Sequence, residues 1–483
     1  MPASSGTTNT AETALAPPAA LPARLTRRLR LILAVVLVAD AIDLIDSTIT
    51  NIAAPSIVGD LGGGQALVKW LGASYALTMG VLLVVGGRLG DRFGRRRTFL
   101  VGMAGFGVSS LACGLAVDPA ALVVSRLVQG GFGALLIPQG IGLLLATFSR
   151  EQFSRAVVAF GPVLAGSAVL GPIVGGFIVS TDIAGLGWRP VFLLNVVLCA
   201  IGLVAAWHLL PPDTDLDHTP IDVRGALCLG VSMLGLIFGL IDGSTDGWDL
   251  RALLALLVGV VALGLFAQRQ RTAPQPLLAR GLLGNRGFTS GLLMGLAYFA
   301  VVNGFAYVVS LYLQLHLHLT PDRAAIGLAP MMVGIMAAAF VARPLIGKYG
   351  RALVVAGLLL TLGGTLLLLG TAASVATLTA PEMIPALLVL GAGMGTCFSS
   401  IYDVAVGDVA PDHVGGASGS LSAVQQLASA IGSATITSVY FNSQNAGAVP
   451  ALERCLLLIA VVTGPCLGLV RLLPAKAAAE PAH

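Results

Sequence analysis

Charged residues are scarce in this chain of 483 residues, since Asp, Glu, Lys and Arg together make up 10% of it. Soluble domains carry roughly a quarter of charged residues, so the chain lacks the polar surface that a water-soluble protein needs. Hydrophobic residues make up 56%, and they come in runs of about twenty, the length of a helix that crosses a hydrocarbon core of about 30 Å. The 61 glycines suit helices that pack closely in a membrane. The composition predicts an all-α integral membrane protein.

The chain also lacks the patterns that bind metals or nucleic acids. Its six cysteines show neither a C-x-x-C pair nor another metal-ligand spacing, so we expect no disulfide framework, zinc site or other metal site. The net charge of +4 is small, and no basic cluster alternates with aromatic residues, so nucleic acid is not an expected partner. No HExxH motif, paired-carboxylate metal site or Ser/His or Cys/His arrangement indicates an enzyme. We expect no cofactor.

Fourteen apolar segments alternate with charged or turn-rich loops. The first carries three aspartates and is followed by no small-residue cleavage site, so we interpret it as a retained span and not as a signal peptide. The thirteenth is the least apolar, being rich in Gly, Ser and Ala. The predicted spans are 31–53, 70–89, 98–117, 122–146, 156–179, 188–210, 223–241, 252–267, 289–313, 325–346, 352–372, 384–406, 416–441 and 455–473.

The distribution of lysine and arginine predicts the orientation of these spans. With the N-terminus in the cytoplasm, the cytoplasmic segments hold 21 of these cations. The outer segments hold five, at Lys69, Arg189, Arg251, Arg323 and Arg454. This excess follows the positive-inside rule. We therefore expect a multi-pass protein of the cell membrane with both termini in the cytoplasm.

Two loops of similar sequence indicate an internal repeat. Residues 89–95 (LGDRFGR) follow span 2, and residues 345–351 (LIGKYGR) follow span 10. Spans 1–6 would then correspond to spans 9–14, as in carriers that bind their substrate between two halves near the bilayer midplane. The predicted organisation is a disordered cytoplasmic tail (1–24), an N-terminal six-helix bundle (25–212), a two-helix insert (213–272), a C-terminal six-helix bundle (273–474) and a second cytoplasmic tail (475–483).

Four motifs indicate one family of transporters. Gly87–Arg97 resembles the GxLaDrxGrk loop of the major facilitator superfamily, and Gly171–Gly176 resembles the GPxxGG end of its antiporter motif. Asp46–Pro55 resembles the DxTxxNxAxP signature of the fourteen-span drug:proton antiporters of the EmrB/QacA type, and Arg126–Gly130 matches their RxxQG. The resemblance extends over nearly the whole chain. It implies the major facilitator fold, with two six-helix bundles and two inserted helices, which makes fourteen transmembrane helices.

The resemblance assigns a gating role to the loop after span 2, through Gly87, Asp91, Arg92, Gly94 and Arg95. On their own, these arginines could serve only to keep the loop in the cytoplasm. The family instead implies a latch, in which Asp91 lies against a helix N-terminus, where the dipole favours a negative charge. Arg92 and Arg95 would then pair across the two halves when the inner face closes.

In span 5 the antiporter motif comprises Gly171, Pro172, Gly175 and Gly176. Proline leaves one carbonyl without its helical partner, and glycines remove side-chain bulk. The segment is therefore either an ordinary kinked and tightly packed helix or, as the resemblance implies, the surface that seals the two halves of an antiporter. Ser167 stands where the family pattern has a glycine.

Three aspartates in span 1 carry most of the functional prediction. Asp40, Asp43 and Asp46 follow one another at i, i+3 steps, so they share an arc of about 120° on the helix. A charge near the bilayer centre costs at least about 2.5–3.5 kcal/mol, although hydrogen bonds to other helices or a wet helix end would also account for these acids. Arg126 is the one cation predicted deep in a span, and the resemblance ties its counterpart to proton coupling. We predict that Asp43, Asp46 and Arg126 couple transport to protons.

Polar residues of other spans are candidates for a substrate cavity. Asp403, near the inner end of span 12, would either bind a cationic substrate or reach cytoplasmic water. The substrate-cavity candidates are Asp40, Gln129, Gln139, Asn303, Tyr307, Asp403 and Gln425.

The sequence as a whole predicts a monomeric, proton-driven antiporter. It would export an amphipathic, aromatic or cationic small molecule, such as a drug, an antiseptic or an endogenous antibiotic. Two alternatives stay open. One is a proton-coupled symporter that takes up a small nutrient, against which the antiporter motif argues. The other is a receptor or scaffold that transports nothing, which would not need acids and an arginine inside the membrane.

Overall fold

The protein is described by a computed structural model that covers residues 25–213, 222–274, 276–277, 280–375, 377–405, 409 and 414–474. The two predicted tails, 1–24 and 475–483, lie outside these residues. The described residues form helices and no strand, and fourteen of the helices have 20 residues or more. The long helices are α1 (Arg27–Leu61), α2 (Gly64–Phe93), α3 (Arg95–Gly114), α4 (Pro119–Thr147), α5 (Arg150–Thr181), α6 (Pro190–Leu209), α7 (Val223–Thr245), α8 (Leu250–Thr272), α9 (Arg286–Leu311), α10 (Pro321–Ala342), α11 (Arg351–Ser374), α12 (Ala380–Ala405), α13 (Val414–Ser443) and α14 (Ala448–Leu469).

Local sequence signals account for the ends of several helices. Thr26, Asp118 and Asn285 precede α1, α4 and α9, and each side chain accepts a hydrogen bond of 2.9–3.3 Å from a backbone N–H three residues later. These caps satisfy donors that a helix start leaves free. Between α1 and α2, the three glycines of Gly62–Gly64 have φ values of 76°, 80° and 53°. Glycine adopts positive φ without penalty, so the chain reverses within three residues.

Ten helices in the described residues are long and apolar enough to cross a membrane. The long helices outside this set are α1, α3, α5 and α13. Helix α1 carries four aspartates, α3 begins with three consecutive arginines, and α13 is rich in Gly and Ser with two glutamines. In α5 the apolar stretch is Leu170–Thr181. Length and apolarity therefore identify ten spanning helices, and the predicted count of fourteen is not confirmed.

The pairs of helices in contact repeat with a shift of eight helices. Helix α2 packs on α4, α3 packs on α4 and α6, and α1 packs on α5. In the same way α10 packs on α12, α11 packs on α12 and α14, and α9 packs on α13. We call α1–α6 the first half and α9–α14 the second half. The halves meet where α2 contacts α13 and where α5 contacts α10, so the repeat seen in two loops of the sequence has a counterpart in the packing.

Helices α7 and α8 pack tightly on each other and are called the insert. A Cβ atom at Gly235 would lie 2.8 Å from the Ala255 carbonyl oxygen, and one at Gly259 would lie 2.7 Å from the Leu236 backbone nitrogen. Glycine thus permits the close approach of the two backbones. Helix α7 contacts both α2 and α13, so the insert lies along the boundary between the two halves.

Candidate functional site

Asp46 is the most enclosed of the three buried aspartates of α1. Its side chain is buried and forms an ion pair with Arg126 of α4. Its Oδ1 accepts a hydrogen bond of 3.0 Å from Gln129 Nε2 and one of 2.5 Å from Asn195 Nδ2. A buried carboxylate needs a counter-charge and hydrogen bonds to offset the loss of hydration. The structure supplies both to Asp46, through residues of α4 and α6.

Arg126 is equally enclosed, with 1% of its side chain exposed. Its Nη1 also donates a hydrogen bond of 2.7 Å to Gln129 Oε1. The guanidinium carbon lies 4.5 Å from the centroid of the Tyr75 ring and 5.7 Å from that of Phe192. Contacts of a cation with aromatic faces are strongest where water is excluded. Arg126 is therefore held by one carboxylate, one amide and two aromatic rings.

Asp43 has a different environment, one helical turn from Asp46. It is 6% exposed, and its Oδ1 accepts a hydrogen bond from the hydroxyl of Tyr75. Tyr75 thereby links Asp43, through its hydroxyl, to Arg126, through its ring. Gly133 of α4 leaves room for this arrangement, because a Cβ atom there would lie 2.6 Å from the Tyr75 hydroxyl. None of the ion pairs found in the described residues includes Asp43.

Asp40 completes the row of acids. It is 6% exposed, and its Oδ1 is buried without a hydrogen-bond partner in the described part of the chain. Three buried carboxyl groups thus lie along α1, and Arg126 can offset the charge of one. Ionisation of all three would leave two uncompensated charges in apolar surroundings, which is costly. The arrangement can therefore bind and release protons.

The loop after α2 satisfies its charges within the first half. Arg95 pairs with Asp91 at 2.9 Å and donates a hydrogen bond of 2.8 Å to the Gly142 carbonyl of α4. Arg92 is exposed. In the described residues both partners of Arg95 belong to its own half. The pairing of Arg92 and Arg95 across the halves, predicted for a closed inner face, stays a prediction.

A different aspartate, Asp213, lies at the N-terminus of the helix that follows this loop. Asp213, which follows α6, accepts hydrogen bonds of 2.8 and 3.2 Å from the backbone nitrogens of Arg96 and Arg97 at the start of α3. The dipole of α3 favours a negative charge at this position. Gly94 has a φ of 97°, and a Cβ atom there would lie 2.2 Å from Asp213 Oδ2. In this structure Asp91 pairs with Arg95 and Asp213 caps α3, and the latch at Asp91 stays a prediction for the state in which the inner face is closed.

The glycines of the predicted antiporter motif are contact points of α5. A Cβ atom at Gly171 would lie 2.1 Å from a side-chain oxygen of α1, and one at Gly175 would lie 2.3 Å from another side chain of α1. At Gly176 it would lie 2.6 Å from the Pro321 carbonyl oxygen, at the start of α10. Pro172 is buried in the same stretch. The motif therefore packs α5 against its own half and against the second half.

Several hydrogen bonds between the halves lie at one end of the helices, and one, from Gln426 Nε2 to Met79 Sδ at 2.9 Å, lies near the middle of α2. We call the end that holds the start of α1 and the α2–α3 loop the terminal face, and the opposite end the far face. At the far face the Tyr307 hydroxyl donates a hydrogen bond of 2.8 Å to the Val68 carbonyl. There too, Ser180 Oγ donates one of 2.7 Å to Asp322 Oδ1. These contacts close the far face.

The terminal face lacks a comparable seal in the part of the chain that the structure describes. Arg92 of the first half and Arg343 and Asp403 of the second half are exposed there. No ion pair among the described residues joins the two halves at this end. The structure is therefore closed at the far face, and its charged residues at the terminal face are accessible.

A fold of paired helical halves, with a row of buried acids in the first half, is accompanied by a family match over most of the chain. The model of the Major Facilitator Superfamily matches residues 36–433. The chain belongs to the Major Facilitator Superfamily. It is thus a multi-pass membrane protein, and its relatives are transporters and not enzymes.

Several relatives of this superfamily member have named activities. A probable actinorhodin transporter of Streptomyces coelicolor is 38% identical over 427 residues, which cover 87% of this chain and 74% of that protein. The tetracenomycin C resistance and export protein of Streptomyces glaucescens is 34% identical, with 81% and 72% covered. The multidrug efflux pump LfrA of Mycolicibacterium smegmatis is 31% identical, with 82% and 78% covered. Antibiotic and drug exporters are therefore prominent among the relatives.

Solved structures of the superfamily share the fold at low sequence identity. The D-xylose–proton symporter aligns with a TM-score of 0.65 at 15% identity, and covers 93% of this chain and 98% of its own. The human organic anion transporter MFSD10 aligns with a TM-score of 0.62 at 16% identity, and covers 92% of this chain and 100% of its own. These likenesses support the major facilitator fold alone.

The structure of this superfamily member separates the predicted cavity residues. Gln129 belongs to the cluster around Asp46. Gln139 is buried between α4 and α2, where its Nε2 donates a hydrogen bond of 2.7 Å to the Gly86 carbonyl. Tyr307 donates a hydrogen bond to the Val68 carbonyl at the far face. The structure therefore gives Gln139 and Tyr307 packing contacts in place of the predicted exposure to a cavity. Asn303 and Gln425 are half-buried, and Asp403 is exposed.

Two residues of the site region were missed by sequence reasoning. Tyr75 links Asp43 to Arg126, but a tyrosine in an apolar helix gives no signal of its partner in the sequence. Lys69 was counted as a residue of an outer loop, yet the structure places it in α2 with its side chain fully buried. The signal that could have revealed Lys69 is its position directly before Trp70 and a long apolar run, within one helical turn of the predicted span.

Proposed function

We propose that this superfamily member is a proton-coupled antiporter that exports an amphipathic compound, aromatic or cationic in character. A drug, an antiseptic or an endogenous antibiotic would fit this description. The observation that carries the proposal is the buried row of three acids on α1, of which one is paired with Arg126. Acids inside a membrane that lack a counter-charge destabilise the protein, and a role in proton transfer explains their presence.

The partners of each acid suggest how the proton is exchanged. Asp46 has an ion pair and two amide donors, which suit its ionised form. Asp43 has one phenolic donor, and Asp40 Oδ1 has no partner in the described residues. In our proposal Asp43 carries the proton, and Asp46 with Arg126 responds to its charge. A carboxylate on Asp43 would compete with Asp46 for Arg126, and protonation of Asp43 would return Arg126 to Asp46.

The membrane arrangement that we propose has fourteen spans, with both termini and the terminal face in the cytoplasm. Fourteen helices of 20 residues or more in the described residues support the count, and the excess of Lys and Arg in the predicted cytoplasmic segments supports the orientation. The two halves and the insert would correspond to residues 25–212, 273–474 and 213–272. With this orientation, the structure is open at its cytoplasmic face and closed at its outer face. We further propose that the protein acts as a monomer.

The proton gradient limits what such an exchange can achieve. A proton that crosses about 100 mV gains roughly 2.3 kcal/mol, and one pH unit adds about 1.4 kcal/mol. Together these sustain a gradient on the order of 500-fold for a neutral substrate exchanged one for one. A monovalent cation exchanged one for one gains nothing from the voltage and is limited to about tenfold. Flux at zero voltage separates the two cases.

The substrate would bind between the halves, on the side of the acids that faces the terminal face. Half-buried Asn303 and Gln425 of the second half and exposed Asp403 are the polar candidates that the structure leaves accessible. An aromatic or amphipathic substrate agrees with the names of the relatives, which include exporters of actinorhodin and tetracenomycin C. Asp403 would favour a cationic group.

The test of the proposal uses Asp43→Asn, with Asp118→Asn as a matched control. Asp118 is an exposed cap of α4, and asparagine caps a helix as well as aspartate does. Resistance and dye efflux in a host without its own pumps, with and without a protonophore, first identify an exported compound from a panel that includes ethidium. In proteoliposomes with an imposed pH gradient, we then expect Asp43→Asn to lose uphill export and Asp118→Asn to retain it. Undiminished uphill export by Asp43→Asn refutes the proton role of Asp43.

A further inference from the structure

Lys69 is a buried cation that the proton exchange does not use. Its side chain is fully buried near the start of α2, at the far face. Its Nζ donates hydrogen bonds of 2.8 Å to Ser244 Oγ and 2.9 Å to Thr245 Oγ1, both at the end of α7. No ion pair in the described ranges includes Lys69, and Asp246, which follows Thr245, is exposed. The ammonium group is therefore held by hydroxyl groups of the insert.

The same serine also connects the insert to the second half. Ser244 Oγ lies 2.8 Å from Ser438 Oγ of α13, and both side chains are buried. Helix α7 is thus bonded to α2 on one side and to α13 on the other. Because α2 and α13 belong to different halves, they must separate at the far face when a carrier of this fold opens there. One of the two contacts of α7 must then break.

The chemistry of the two contacts decides which one breaks. Hydrogen bonds donated by an ammonium group are stronger than a bond between two hydroxyl groups. Loss of its partners would leave Lys69 as an unpaired charge in apolar surroundings, whereas a serine hydroxyl left alone is a smaller loss. The contact between Ser244 and Ser438 is therefore the one that gives way.

A further contact lies at the opposite end of α2. Arg88 Nη2 donates a hydrogen bond of 2.7 Å to the Pro276 carbonyl, four residues beyond the end of α8. This bond ties α2 to the connection that follows the insert. Between these ends, a Cβ atom at Gly230 of α7 would lie 3.6 Å from Val81 Cγ1 of α2, so the two helices are also in contact there.

We propose that the insert moves with the first half as one body, and that Lys69 is the residue that positions it. In this arrangement the boundary between α7 and α13 is the one that opens at the far face. The inference rests on alternating access as proposed above. It assigns the insert a role in gating and makes Lys69 a positioning residue without a part in proton transfer.

Two pairs of cysteines test this inference in the full-length protein. The pair Ser244→Cys and Ser438→Cys bridges the insert and the second half, across side chains whose oxygens lie 2.8 Å apart. The pair Val81→Cys and Gly230→Cys bridges the insert and the first half and serves as the matched control. Disulfides are formed by mild oxidation, identified by mass spectrometry to separate them from bridges with the six native cysteines, and then reduced. Export of ethidium, or of the compound identified by the panel, is measured in each state.

We expect oxidation to abolish export by the variant with the first pair and to leave export by the variant with the second pair unchanged. Reduction should restore export fully. The opposite pattern would show that the insert moves with the second half, and equal effects of both pairs would show that it follows neither half alone. Either result overturns the inference. Absence of export by the reduced and wild-type proteins would instead count against the proposed function itself.

A third variant tests the role of Lys69. Lys69→Met keeps the length of the side chain and removes its charge. Introduced into the Ser244→Cys and Ser438→Cys protein, it should release α7 from α2 at the far face, so the disulfide should block export less completely. An unchanged block in a folded Lys69→Met protein would mean that Lys69 does not hold the insert. If Lys69→Met does not fold, the two cysteine pairs still decide which half the insert follows.

Discussion

Removal of one member of the Asp46–Arg126 pair should cost more stability than removal of both. Arg126→Gln leaves the buried Asp46 carboxylate with amide donors only. Asp46→Asn leaves a buried guanidinium group, but the carboxylate of Asp43 is one turn away on the same face of α1 and bonded to the Tyr75 hydroxyl. Asp43 can therefore act as a substitute counter-ion for Arg126. We expect stability to fall most in Arg126→Gln, less in Asp46→Asn, and least in the double variant.

The magnitude follows from the burial of both partners. The two side chains of the pair are 0% and 1% exposed, so neither charge can regain its hydration. Removal of one partner of such a pair costs about 3–5 kcal/mol, whereas replacement of both by neutral groups is often close to neutral. We expect Arg126→Gln to show the full loss and Asp46→Asn the lower part of that range. The measurement is thermal unfolding of the purified variants, compared in the same detergent, lipid and pH.

The double variant also separates stability from transport. Asp46→Asn with Arg126→Gln should fold with nearly wild-type stability, because it contains no unpaired charge at this position. In proteoliposomes it should still allow the substrate to move down its gradient and should no longer drive it uphill. If the double variant is the least stable of the three, the two charges do not compensate each other. If it pumps uphill as the wild type does, the pair has no part in coupling.

Two further predictions concern neighbours of this pair and of the loop after α2. Tyr75→Phe removes the hydroxyl that donates a hydrogen bond to Asp43 and keeps the ring that lies 4.5 Å from Arg126. We expect Tyr75→Phe to fold and to show slower proton-driven export, whereas Tyr75→Ala should also lose stability. Identical stability of the two variants would mean that the ring does not stabilise Arg126. Asp91→Asn breaks an ion pair in which both side chains are exposed, so the free energy of unfolding should change by less than about 1 kcal/mol. The transport cycle should slow, and the carrier should shift toward the state open at the terminal face. Unchanged labelling of cysteines introduced at the far face would refute the latch.

Much of the fold could be predicted because hydropathy marks where a chain can enter a membrane. Each of the fourteen predicted spans overlaps one long helix in the described residues. The ends were less predictable, because a helix continues past the apolar region for as long as its backbone bonds and caps permit. Span 1 was predicted to end at residue 53, whereas α1 continues to Leu61; span 2 was predicted to begin at residue 70, whereas α2 begins at Gly64. That second difference assigned Lys69 to a loop.

The site could be predicted in part, to the extent that it depends on one helix. The i, i+3 spacing places Asp40, Asp43 and Asp46 on one face of α1 whatever surrounds it. The partners of each acid depend on which helices meet that face, and single-sequence patterns contain no such information. The RxxQG resemblance pointed to Arg126, but nothing pointed to Tyr75. For the same reason nothing in the sequence pointed to Asp213 as the cap of α3, since Asp213 is distant in sequence and adjacent in space.

The two buried cations of the described chain, Arg126 and Lys69, differ in a way that fits different tasks. Arg126 is held by a carboxylate, and a carboxylate loses its charge when it binds a proton, so a proton can change the partner of Arg126. Lys69 is held by the hydroxyls of Ser244 and Thr245, which do not change charge at any pH that the cell reaches. A proton can therefore change the partner of the first cation, whereas the partners of the second keep their charge. The chemistry of their partners thus favours Arg126 as part of the switch and Lys69 as part of the framework that moves with it.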